Sequence, residues 1–243
     1  MVRLTNLHMT DIEHFDWVAY FEDNHAHRLQ IDFSKEPELS KEEKDLIFPS
    51  IRNFQKGEAS EGWFLLKCAA RFAKQNDMPE YLTAMEWFVR EENWHSFYLK
   101  QYMDHYQVAA CSDSVLDGIF RFLRRTGGLR SEVIVLVTAE MIALSYYSAL
   151  AECVESPALQ SICEQMLHDE LRHIVFQSYT LYKMKSNPVE RLFRILLMEV
   201  TMSVVWVFMS NVFRAGGYSF KRYAGDCLGY LKQSMEIEKR GTL

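Results

Sequence analysis

The stretch LHDELRH, Leu167 to His173, decides how the chain is read. On a helix it sets Glu170 and His173 one turn apart, where side chains at i and i+3 share a face. Such a pair is either surface decoration or two donors to one metal ion. With 22 glutamates and 8 histidines in 243 residues, chance gives roughly 0.7 Glu-x-x-His pairs at this helical spacing. The chain has three: Glu22/His25, Glu92/His95 and Glu170/His173. The count decides nothing, so the surroundings of each pair must.

Those surroundings are helical. Only ten Gly and five Pro interrupt the chain, and no strand-like alternation is sustained. Ser40 followed by Glu43 has the form of a capping box. Pro49 is expected to break or kink that segment, with a new helix running on to about Gln75. Asp77, Pro79 and Glu80 open a second helix that ends near His105. A shorter one is expected from about Ser114 to the Gly127-Gly128 stop. SEVIVLVTAEMIALSYYSALAECV follows, ended by Ser156-Pro157, which opens the helix carrying LHDELRH. Asn187-Pro188 introduces an apolar helix, and Gly216-Gly217 separates it from a last one. The expectation is one all-α domain over 1–243, with a bundle core at about 50–185 and additional helices over 188–240.

Two of the Glu-x-x-His pairs then acquire a common geometry. Glu92/His95 and Glu170/His173 each follow a hairpin turn. Reflection of Glu92 through that turn falls on residue 62, beside Glu61; Glu58, one turn earlier, is the rival. Reflection of Glu170 falls near Glu140. Glu61 precedes Glu92 by 31 residues and Glu140 precedes Glu170 by 30. Each half supplies a lone glutamate, a turn and a Glu-x-x-His pair. Glu22/His25 has no such partner and reads as a bland surface pair.

This pattern resembles the ferritin-like di-iron carboxylate superfamily, whose four-helix bundle takes a Glu from two helices and Glu-x-x-His from the other two. The likeness covers roughly Phe54 to Lys185, and HDELRH has the Asp-Glu-x-x-His form of that superfamily's oxidases and oxygenases. It implies a ferritin-like four-helix bundle holding two Fe ions, with Mn/Fe and Mn/Mn open because the donor types overlap. Glu61, Glu92, His95, Glu140, Glu170 and His173 would be the ligands, Glu92 and Glu170 bridging. Asp169 and Glu91 would orient the histidine rings. In the first half Glu91 stands where the second has Asp169. Tyr147, two turns beyond Glu140, is a candidate redox or substrate-pocket residue, and Glu199 a further approach to the site.

Composition narrows the function. A formal charge of −6 with no long basic run points away from nucleic acid. Five scattered cysteines without a CxxC pair read as a reducing, cytoplasmic setting. No secretory signal is visible at the N-terminus. The segment 195–213 approaches membrane-spanning length. Its recurring Glu199, Ser203, Ser210 and Asn211 instead predict packing against protein or around a cavity. The reading is an O2-dependent di-iron oxidase or oxygenase acting on a small, partly apolar substrate, supplied by an external electron donor and with a homodimer open. Its rivals are a ferroxidase or peroxide-scavenging protein and a metal-free helical interaction protein.

Overall fold

The computed structural model describes residues 4, 12–59, 62–111, 128–185 and 187–242. Those residues are all-α and contain eight α-helices and no strand: α1 Trp17–Ala26, α2 Lys41–Glu58, α3 Trp63–Asn76, α4 Pro79–His105, α5 Gly128–Leu150, α6 Pro157–Met184, α7 Pro188–Ala215 and α8 Phe220–Arg240. The order is a bundle core with α1 before it and α7 and α8 after it. The helix expected near 114–125 lies outside the described residues.

Helix starts follow their capping residues. Ser40 Oγ accepts from the backbone N–H of Glu43 at 3.2 Å, and Glu43 Oε2 accepts from the Ser40 N–H at 2.7 Å, closing the capping box. Asn187 and Glu190 close a second one at α7. Pro79, Pro157 and Pro188 all stand at the first position of their helices, where a missing N–H costs nothing.

The helix expected over about 50–75 is in fact two. Pro49 does not end its segment: α2 runs through it to Glu58, held by the buried Ile47, Phe48 and Ile51. The helix ends at Glu58 and the next begins at Trp63. Gly62 caps α3 in the left-handed region (φ 62°). A Cβ on Gly62 would lie 2.5 Å from Val89 Cγ1 on α4, so the turn needs a glycine both for its backbone and for the close approach. Glu61, expected as a ligand, lies outside the described residues, as does residue 60.

The described chain forms two compact units. The first contains Asp16–Glu132 and Ser156–Ile162. Here α4 is the central element and α1, α2 and α3 pack on it, burying Phe21, Phe48, Phe88, Leu99 and Tyr102. Glu36 ties this unit to the start of α6. Its carboxylate accepts from Tyr106 Oη at 2.8 Å, from Ser156 Oγ, and from the Ala158 N–H at 2.9 Å. A carboxylate at a helix N-terminus also meets the positive end of the helix dipole.

The second unit contains Val133–Glu155 and Cys163–Leu243, with N-terminal residues up to Phe15. Arg194 of α7, fully buried, donates to Glu238 and, at 2.7 Å, to Ser234 Oγ, both on α8. Ser234 Oγ lies 2.6 Å from Ser178 Oγ on α6, so one polar chain joins three helices. At the other end of α7 the rings of Phe213 and Tyr223 are 4.3 Å apart.

Both α5 and α7 are long and apolar enough to cross a membrane by length and composition, with 83% of the critical window buried in α5 and 39% in α7. The polar residues of α7 do not line a cavity. Glu199, Ser203 and Asn211 are exposed and Ser210 half-buried, because the bulkier Leu197, Met198, Met202, Val205 and Met209 take the inward face. All five cysteines are free, and burial pushes the thiols of Cys153 and Cys227 up to about 12, so neither is an activated nucleophile.

Two glycines give opposite expectations for stability. A Cβ on Gly216 would meet the Ala149 carbonyl oxygen at 2.1 Å, and such overpacking costs about 1–3 kcal/mol. Gly57, inside α2, has nothing within 4 Å of the added carbon, and alanine there gains about 0.5–1 kcal/mol. Urea unfolding should show a lower midpoint for Gly216→Ala and a higher one for Gly57→Ala, each at unchanged m.

Candidate metal centre

Three long helices carry buried stripes with the 3–4 alternation that faces a helix toward a core. On α4 the stripe runs Tyr81, Met85, Phe88, Glu92, His95, Leu99 and Tyr102, all buried. On α5 it runs Val133, Val137, Glu140, Leu144 and Tyr147. On α6 it passes through Met166, Glu170, His173 and Gln177. Each stripe is apolar except at its middle, where carboxylates and imidazoles replace Leu or Val. Side chains that are costly to bury thus occupy positions the fold cannot expose.

Within the second unit, Glu140, Glu170, His173 and Gln177 meet. Glu140 is 4% exposed and the other three 0–1%. His173 Nδ1 lies 3.0 Å from Glu170 Oε2 and 3.9 Å from Glu140 Oε2. Gln177 Nε2 donates to Glu140 Oε1 at 3.0 Å. Burial pushes the Glu140 carboxyl up. The hydrogen bonds with Glu170, His173 and Gln177 and the nearby imidazole more than offset this and hold it below the usual carboxylate range. Gln177 was not singled out in the sequence. Its signal is its place one turn after His173 on the same stripe.

Within the first unit, Glu92 is 7% exposed and His95 fully buried, one turn apart on α4. Glu91 beside them is also buried and accepts from Asn24 Nδ2 of α1. Asn24 is a second residue that the sequence reading passed over. Its neighbour His25 belongs to a layer of rings and cations: its ring is 4.8 Å from Trp87 and its Nε2 3.1 Å from Arg28. Burial first, then Arg28 and Arg90, lower the His25 pKa.

Glu92 and His95 in the first unit, and Glu170 and His173 in the second, are buried residues of the types that could hold a metal ion. Carboxylate and imidazole together suit iron or manganese, as hard oxygen and borderline nitrogen donors do. An all-α chain with such residues on two Glu-x-x-His turns has the pattern of ferritin-like di-metal proteins.

The remaining expected residues fall as follows. Asp169 is 2% exposed, with Gln165 Nε2 2.9 Å from both its oxygens and His168 Nδ1 2.9 Å from Oδ1. Tyr147 is fully buried with its ring 5.1 Å from that of Tyr146. Glu58 is the half-exposed last residue of α2, Glu61 lies outside the described residues, and Glu199 faces outward.

Gln177→Leu removes the Glu140 donor while keeping the side chain's bulk, and a hydrogen bond to a charged group is worth about 1.5–3 kcal/mol. Because the Glu140 pKa is depressed, this contribution is present above the ordinary carboxylate pKa. It is lost as pH falls through the lower folded value. Metal-free Gln177→Leu should therefore be destabilised by that amount at pH 7, and its gap to wild type should close on acidification in urea unfolding. No protein-family model matches the chain, and neither a curated protein nor a solved structure does.

Proposed function

We propose that the chain is a di-iron oxidoreductase that uses O2 to oxidise a small, partly apolar organic molecule. The observation that carries this is the burial of two Glu-x-x-His turns, Glu92/His95 and Glu170/His173, whose residues are of the types that could hold metal ions. Glu140 joins this set through its contacts with Glu170 and His173. In the other half the matching carboxylate is assigned to Glu61.

Two irons held by these residues would supply the electrons and coordination sites that O2 activation needs. The chain's own part is to place and charge the donors. Gln177 holds Glu140 as an anion aimed at its neighbours. Gln165 and His168 fix Asp169, and Asn24 fixes Glu91, so the two residues assigned to orient the imidazoles are themselves anchored. Burial keeps bulk water from the group, which strengthens each electrostatic contact there. Tyr147 lies about 10 Å along α5 from Glu140 by helix rise, which gives it a pocket-wall role and not a ligand's.

The test is metal content joined to O2 reactivity. Purified protein reconstituted with Fe(II) should bind two irons per chain, and O2 added after anaerobic reduction should produce a transient optical change. Glu170→Ala and His173→Ala should each lose iron while far-UV circular dichroism stays helical. Two irons retained in both variants would remove these residues from the ligand set. Iron oxidised catalytically, with ferric product released, would replace the oxygenase reading with a ferroxidase. Absence of metal after reconstitution would leave a helical interaction protein.

A further inference from the structure

Helix α7 is apolar on both sides. Its inward face packs on α8. Its outward face exposes Leu192, Phe193, Leu196, Val200, Val207 and Phe208 at 44–75%, with Val189 near the helix start at 76%. Together these side chains leave on the order of 700 Å² of apolar surface per chain, above the roughly 300–600 Å² of the largest patch on an ordinary monomer. A standard protein interface takes about 800 Å² from each partner. One helix face therefore holds nearly a full half-interface.

The order of these residues says what covers it. Leu192 and Phe208 lie eight residues either side of Val200, Phe193 and Val207 seven, and Leu196 and the half-buried Val204 four. Offsets of four, seven and eight are those that return to one helix face. The outward stripe is thus nearly a palindrome about Val200. An antiparallel copy of the same helix, related by a two-fold axis at Val200, sets Leu192 against Phe208 and Phe193 against Val207. Self-complementarity of this kind is what an isologous interface requires. The polar Ser203, Glu199 and Asn211 share the exposed side, and a partner helix leaves such edge positions at a wet rim.

We propose that α7 is a homodimer interface, two copies of the chain pairing α7 antiparallel about Val200. The pairing is independent of any metal.

The wild-type protein should sediment as a dimer at micromolar concentration. Val200→Glu should raise the dimer dissociation constant on the order of 100-fold, as for a central interface residue, with unchanged helicity. Phe97→Glu, at an exposed phenylalanine on α4, should leave the dimer intact. Oxidative crosslinking fixes the register. Val200→Cys should link to itself, and a mixture of Phe193→Cys and Val207→Cys chains should link across, beyond any crosslink in wild type. Self-linking of Phe193→Cys alone would mean a parallel pair and overturn the antiparallel pairing about Val200. A monomer that binds vesicles of phosphatidylcholine and phosphatidylglycerol, and loses them on Val200→Glu, would overturn the dimer in favour of a lipid surface. A monomer that binds neither would also overturn it.

Discussion

A carboxylate buried without compensation costs several kcal/mol, and this chain buries several at the middle of stripes that are otherwise apolar. Glu92 on α4, Glu140 on α5 and Glu170 on α6 are all at most 7% exposed. Each could reach solvent only by rotating its helix and exposing the Leu, Val, Phe or Met residues above and below it. The apolar stripe holds the donors in place, and the donors need a positive charge to be stable there. A chain that buries two carboxylate–imidazole pairs in this way is suited to hold a cation.

The surrounding contacts divide this burden. In the second unit the hydrogen bonds with Glu170 and His173, with Gln177 as a further neutral donor, hold the Glu140 carboxyl below its usual range. In the first, the helices packed on α4 set where Glu92 and His95 stand. Gly62 lets the α3 start press against Val89, three residues from Glu92. Asn24 on α1 reaches Glu91 directly. The short N-terminal helix thus has a part in the site that its own Glu-x-x-His turn does not. His25 of that turn is spent on Arg28 and Trp87.

These differences follow what a linear pattern can carry. The helix type, the capping boxes and the proline starts are local, and they were readable residue by residue. The burial of the two Glu-x-x-His pairs was readable because each sits at helical spacing within an otherwise apolar stripe. Pro49 misled, since burial of Ile47, Phe48 and Ile51 outweighs the one backbone hydrogen bond a proline removes. That error missed the start of the next helix at Gly62, whose lack of room for a side chain depends on Val89, 27 residues away. Gln177 and Asn24 stayed invisible for a related reason. An amide on a helix is informative only once its acceptor is known, and both acceptors lie on other helices.

Helix α7 marks the limit of such reading. Its sequence is apolar all round with a few polar residues at helical spacing, and two arrangements satisfy that pattern: polar residues inward around a cavity, or polar residues outward on an apolar surface. Side-chain volume separates them. Leu197, Met198, Met202, Val205 and Met209 fill the space against the neighbouring helices better than Ser203, Ser210 and Asn211 could, so the small polar residues turn outward. The same choice leaves Leu192, Phe193, Val200, Val207 and Phe208 on the outside. A helix chosen only to be buried would not arrange its outward residues symmetrically about one valine. The symmetry is a property of the face the core did not use, and a second copy of the chain is the partner that matches it.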